Sequence, residues 1–222
     1  MPPRLAVFDL DGTLIDTAPD LIETTNHVLA ETGFAPVPEA TLRRHIGLGA
    51  RSMIASAIRE NGADPQTHDL AALTTQFIAH YQTRLSRRSK PFAEIAAALP
   101  ALAAEGVRLA VCTNKREGLA RQLLTELQML DTFAHITGGD TFAFMKPDPR
   151  HLTETIDGAG GTAENTVFVG DSRIDFETAR AAKIPFVGLS YGYTDVPMAD
   201  LGPDRLCEPG NDIAAAILSL YA

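Results

Sequence analysis

The sequence predicts an α/β fold: a parallel sheet with helices on its faces, and an all-helical segment inserted after the first strand. Three observations lead there. Short apolar runs end abruptly in polar or charged residues, strand-like and helix-like patterns alternate from about residue 95 onward, and residues 17–89 contain helical patterns only.

The first run, "RLAVFDL" (Arg4 to Leu10), is apolar on consecutive positions, as a strand buried on both faces must be. After it come amphipathic patterns, "PDLIETTNHVLAETG", "ARSMIASAIRENG" and "DLAALTTQFIAHYQTRL", separated by Gly and Pro and lacking any strand. An Ala-rich helix, "EIAAALPALAAEG", leads into the second run, "VRLAVCTN" (Val107 to Asn114). "REGLARQLLTELQML" and "PRHLTETIDGAG" read as helices, the latter ending in the loop glycines of "GAGG". "NTVFVGDS" (Asn165 to Ser172) and "IPFVGLS" (Ile184 to Ser190) complete the strands. Residues 1–16 and 90–222 are therefore expected to form the α/β core, and residues 17–89 a helical domain inserted into it.

Composition narrows the function. The 222 residues carry 19 Lys plus Arg against 28 Asp plus Glu, a net charge of −9, so the average field repels nucleic-acid phosphates and anionic membranes. Neither partner is expected, and a phosphorylated small molecule would need a local cation. Cys112 and Cys207 have no metal-binding or redox spacing and are expected to be reduced thiols. No run approaches the roughly 20 apolar residues of a membrane span, and the N-terminal run is too short for a signal peptide. A cytoplasmic protein is the expectation, as a monomer or homodimer. Neither a phosphate-binding P-loop nor a dinucleotide fingerprint occurs.

Ligands of an open parallel sheet bind beyond the carboxyl ends of its strands. Asp9 and Asp11 end the first run, Thr113 the second and Asp171 the third, so four polar groups converge on one edge. Carboxylates brought together repel unless a cation joins them, and Mg2+ suits carboxylates combined with phosphate oxygens. Singly, "LDGT" could be an ordinary turn and Thr113 an ordinary strand end. Together they predict a metal site.

Four segments, "DLDGTLID" (Asp9 to Asp16), "CTNK" (Cys112 to Lys115), "MKPDP" (Met145 to Pro149) and "VGDSRID" (Val169 to Asp175), resemble the ordered motifs of the haloacid dehalogenase (HAD) superfamily. The resemblance spans essentially the whole chain. It implies a Rossmann-like core with a helical cap of the C1 type. It implies that Asp9 is a nucleophile forming an aspartyl-phosphate, that Asp11 serves as general acid and then general base, and that Lys146 supplies positive charge to both phosphate and nucleophile. Asp171, Asp9 and the backbone carbonyl of Asp11 would hold Mg2+, with Asp175 supporting the site from behind. Gly12 would let backbone N–H groups face the phosphate, while Thr113 and Asn114 would contact its oxygens. Asp16 is assigned a linker or capping role. The second aspartate, Asp11, favours phosphate chemistry over carbon–halogen cleavage.

"TGGDTFAFMKPDP" and "GLSYGY" are most similar to the phosphoglycolate phosphatase group, which makes 2-phosphoglycolate the expected substrate. Other small phosphates (a sugar phosphate or pyrophosphate), a β-phosphoglucomutase-like phosphomutase and a non-catalytic metabolite-binding protein are the alternatives. "RRHIGLGARSM" sets Arg51 beside a Gly-x-Gly turn, where it could read a substrate carboxylate, with Arg43 or His45 in support. Two departures from the family pattern concern turn geometry: "SKPFAEIAAAL", and Lys183 where a helix-ending glycine is common.

Overall fold

The structure is a computed structural model and describes residues 3–221; residues 1, 2 and 222 of the expected core lie outside the described residues. In chain order the elements begin with strand β1 (Leu5–Phe8), the two-residue strand β2 (Ile15–Asp16) and helices α1 (Ala18–Glu31), α2 (Glu39–Arg43), α3 (Ala50–Glu60) and α4 (Leu70–Gln82). They continue with β3 (Lys90–Pro91), α5 (Ala93–Ala104), β4 (Arg108–Cys112), α6 (Glu117–Glu126), β5 (His135–Thr137) and α7 (Pro149–Gly158). The chain ends in β6 (Thr166–Gly170), α8 (Arg173–Ala182), β7 (Phe186–Leu189), α9 (Met198–Leu201), β8 (Arg205–Cys207) and α10 (Ile213–Leu218).

Six strands form one parallel sheet in the order β5-β4-β1-β6-β7-β8. The four apolar runs become β1, β4, β6 and β7. The outer strands β5, "HIT", and β8, "RLC", are too short to show a pattern of their own, and each pairs with an edge that longer strands provide. The strand order reverses between β1 and β6, the position where open α/β sheets bind ligands. Phe8 stands beside Val169, and the Asp9 N–H donates to the Val169 carbonyl at 3.0 Å, so the residues following both strands are held side by side.

Alternation along β1 divides the core. Leu5 and Val7 join Cys112, Leu152, Phe168 and Phe186 on one face of the sheet. Ala6 and Phe8 face the other way, into a cluster that runs through Leu10, Leu14 and Ile15 to Met53, Phe77 and Tyr81 of the helical segment. That segment leaves and re-enters the sheet region through an antiparallel ribbon, in which Ile15 pairs with Pro91 and Asp16 with Lys90. Helices α1, α3 and α4 pack on one another beyond it.

Side-chain caps are used sparingly in both parts, and α5, α6 and α9 of the core have none. Asp148 caps α7, Asp212 caps α10, and Ser172 and Asp175 form a reciprocal capping box on α8. In the inserted segment α1, α2 and α3 have no side-chain cap, and only α4 has one, from Asp69. Lys183 ends α8 in the left-handed conformation itself (φ 58°, ψ 36°), so the chain makes a glycine-type turn with a lysine.

Candidate active site

Asp9, directly after β1, is buried, and the Lys146 ammonium stands 2.9 Å from its Oδ1. Lys146 lies in the loop preceding α7 and is shared with Asp175 at 2.6 Å. Two backbone contacts hold that loop: the Asn114 amide donates to the Lys146 carbonyl at 3.0 Å, and the Lys146 N–H donates to His151 Nδ1 at 3.2 Å. Burial alone would lower the Lys146 pKa, but Asp175 and Asp9 more than offset it and keep the ammonium charged. Burial pushes Asp9 up to about 6, against the attraction of Lys146.

Asp171 follows β6 and is also buried. Its two oxygens accept from the Thr13 hydroxyl and from the Tyr193 N–H, each at 2.6 Å. Burial, then Asp175 and Asp9, raise its pKa well above the carboxylate range. Asp9, Asp171 and Asp175 each offer an oxygen within 4.8 Å of the others. The Lys146 ammonium touches Asp9 and Asp175 but not Asp171, so three buried carboxylates are set against one positive charge. An all-oxygen donor set with that deficit fits a hard divalent cation.

Two glycines make the approach to Asp171 feasible. A Cβ on Gly12, whose φ is +87°, would stand 2.4 Å from Asp171 Oδ2, and one on Gly192 would stand 2.1 Å from it. The Gly12 N–H donates to the Ile15 carbonyl at 2.9 Å, so this glycine provides close approach to Asp171 and does not itself direct an N–H at a ligand. Asp175 joins the site to the start of α8. One oxygen holds Lys146, and the other accepts from the Ser172 hydroxyl at 2.6 Å in the capping box.

Asp11 faces elsewhere. Its carboxylate meets the Lys115 ammonium at 2.9 and 3.2 Å, and the same ammonium donates to the Tyr81 hydroxyl of α4 at 2.9 Å. Burial opposes the charge on Lys115, and Asp11 more than restores it. Burial pushes Tyr81 up to about 12, so its hydroxyl stays protonated at neutral pH. Thr113 is buried and accepts the Lys115 N–H at 3.2 Å.

These groups line a cavity of about 200 Å³ between the sheet edge and the helical segment. Asp9, Asp11, Thr113, Asn114 and Lys115 form its floor, and Leu21, Ile46, Met53, Phe77 and Ile78 face them from the helices. The buried Asn114 Oδ1 has no partner among the described residues. Arg51 lines the cavity from α3 but is exposed. Arg43 is engaged away from it, with Glu39 at 2.8 Å, Asp16 at 3.6 Å and its guanidinium over the Tyr193 ring, and His45 is not part of the lining. Asp16 caps nothing: α1 begins after Thr17, and Asp16 accepts from the Tyr193 hydroxyl at 2.5 Å.

Sequence reasoning left out Lys115, Tyr81, Thr13, Gly192 and Tyr193. Lys115 closes "CTNK" and the other pair lies in "SYGY", so both signals were present as letters. Their partners lie 104 and 22 residues away in the chain, which no local pattern encodes.

Comparison with known proteins places the chain among its relatives. A phosphoglycolate phosphatase of Agrobacterium fabrum is 46% identical over 217 residues, covering 98% of this chain and 92% of its own. One of Mesorhizobium japonicum is 46% identical over 208 residues, covering 93% and 91%. The crystal structure of a predicted phosphoglycolate phosphatase from Haemophilus somnus superposes with a TM-score of 0.88 at 29% identity, covering 97% of both chains. The haloacid dehalogenase-like hydrolase family matches residues 6–189, the span that runs from β1 through the carboxylate cluster to the end of β7, and the chain belongs to that family.

Proposed function

We propose that the chain is a Mg2+-dependent phosphomonoester hydrolase acting through an aspartyl-phosphate, with 2-phosphoglycolate as its substrate and glycolate and phosphate as its products. The observation that carries the chemistry is the placement of Asp9 and Asp11 on one cavity wall, each beside a different lysine. A binding protein has no need of two separately oriented carboxylates there. The names of relatives 46% identical over nearly the whole chain support the substrate.

In this reading an Asp9 oxygen attacks phosphorus, the ester P–O bond breaks, and Asp11 delivers a proton to the departing glycolate oxygen. Asp11 then takes a proton from water as that water attacks the phosphorus, which releases phosphate and restores Asp9. Lys146 orients Asp9 and neutralises charge on the transferring group, and the Thr113 hydroxyl donates to a phosphoryl oxygen. Asn114 holds the Lys146 loop and offers its free Oδ1 at the cavity floor. Asp9, Asp171 and the backbone carbonyl of Asp11 would hold Mg2+, with Asp175 fixing Lys146 behind them. The bound ion supplies charge neutralisation for the phosphoryl group.

Residues 17–89 act as a cap on a core of residues 1–16 and 90–222, excluding water from the cavity, and Arg51 at its exposed side draws in an anionic substrate. No helix among the described residues is long and apolar enough to cross a membrane. The proposed site of action is the cytoplasm.

The test is phosphate release from 2-phosphoglycolate, sugar phosphates and pyrophosphate, with Mg2+ and with chelator. A kcat/KM for 2-phosphoglycolate far above the others and dependent on Mg2+ is the expected result. Another favoured substrate would remove phosphoglycolate and keep the mechanism. Phosphoryl return to a sugar without phosphate release would favour a mutase, and no turnover at all a binding protein.

A further inference from the structure

We propose that Lys115 is the residue that reads the substrate's carboxylate, held in position for it by Tyr81 of the helical segment. The proposal rests on the phosphoglycolate reading above and assigns the contact that makes the site selective for an acid.

The leaving oxygen of 2-phosphoglycolate is separated from the carboxylate by one methylene. Whatever cation binds that carboxylate must therefore stand next to the group that protonates the leaving oxygen. In-line attack by Asp9 puts that oxygen on the far side of the phosphorus, toward Asp11. The Lys115 ammonium is 2.9 Å from Asp11 Oδ1, lines the same cavity and is almost completely buried. It has three hydrogens to donate. Its acceptors among the described residues are Asp11 Oδ1 at 2.9 Å, Asp11 Oδ2 at 3.2 Å and the Tyr81 hydroxyl at 2.9 Å. The longer of the two Asp11 contacts is the one a ligand carboxylate would replace, leaving Asp11 Oδ1 and Tyr81 to hold the ammonium in place.

The other cations lining the cavity are less well placed. The Arg116 guanidinium is exposed and lies 3.7 Å from Asp140. Arg51 is exposed on α3, where water screens its charge. The wall facing Lys115 is largely apolar, formed by Leu21, Met53, Phe77 and Ile78. Inside that surround a carboxylate gains more from one buried ammonium than from an exposed guanidinium. A lysine is also costly to bury unless its charge is used. A purely structural Lys115 would hold Asp11 and affect every substrate alike, whereas a reader of the carboxylate affects acids selectively.

The experiment compares kcat/KM for 2-phosphoglycolate and its neutral carboxamide, 2-phosphoglycolamide, in the wild type and in Lys115→Met, Lys115→Gln, Lys115→Arg, Tyr81→Phe and Arg51→Ala. The wild type is expected to prefer the acid by about 100-fold, and Lys115→Met and Lys115→Gln to bring that ratio close to one. Lys115→Arg should keep most of the preference, and Tyr81→Phe should reduce it by about tenfold. Preference retained in both neutral Lys115 variants, or lost equally in Arg51→Ala, overturns the assignment. A wild type that turns over both compounds equally well, or neither, overturns the phosphoglycolate reading itself, and so separates that failure from an error about Lys115.

Discussion

Where the sheet meets the cavity the chain buries charge: Asp9, Asp171, Asp175, Lys115 and Lys146 are all buried, and each has a partner within 3 Å. Where the helical segment meets it, the chain presents Leu21, Ile46, Met53, Phe77 and Ile78, with Tyr81 the polar group that crosses to the other side. The difference follows from rigidity. Strand ends are fixed by ladders on both sides, and the Lys146 loop and Asp171 run into the capped helices α7 and α8, so charges can be held within ångströms of one another at tolerable cost. Helices joined to the sheet by a two-stranded ribbon are less tightly constrained, and apolar contacts tolerate small shifts that a charge network does not.

The comparison breaks most visibly at Asp9. Asp9→Asn should lower phosphate release by at least about 1000-fold with the fold retained by circular dichroism, since the lost group reacts directly. An insert variant with an equal loss of kcat would remove the division of labour.

Gly192→Ala tests how tightly the sheet edge is packed. The added methyl would overlap Asp171, so unfolding free energy should fall by about 1–3 kcal/mol and the Mg2+ concentration giving half-maximal activity should rise. Urea titration and a metal titration read the two effects separately. An unchanged metal requirement would show that Asp171 has room to move.

Tyr193→Phe examines the joint between the regions. Its hydroxyl accepts the Ala18 N–H at 3.0 Å and donates to Asp16, so its loss leaves a buried donor unpaired at the start of α1. Stability should drop by about 1–2 kcal/mol in chemical denaturation, with KM changing more than kcat.

The smallest expected effect lies in the insert. Ile78→Ala enlarges the cavity without touching a charge, and kcat/KM for a small substrate should change less than about tenfold while bulkier phosphomonoesters gain. A panel of esters of increasing size measures it. A large loss of kcat would show that the apolar wall positions the reacting groups.

Much of the fold could be read in advance because buried parallel strands and amphipathic helices have strong local periods. β1, β4, β6 and β7 lie inside the four apolar runs, α3 and α4 lie inside their amphipathic patterns, and α1 starts one residue before its own. The edge strands β5 and β8 were not legible, because three residues carry no period and form a strand only when a neighbour offers hydrogen bonds.

The sequence by itself determined that Asp9, Asp11, Thr113 and Asp171 terminate strands or follow them, since apolar runs and their polar ends are neighbours in the chain. Only the tertiary structure decided which charges meet. Asp11 joins Lys115 and Tyr81, Arg43 turns to Asp16 and Glu39, and the Tyr193 N–H binds Asp171. Backbone periodicity is a local property of successive residues, whereas a hydrogen bond between residues far apart in the chain depends on strand order and on the close approach that Gly12 and Gly192 permit.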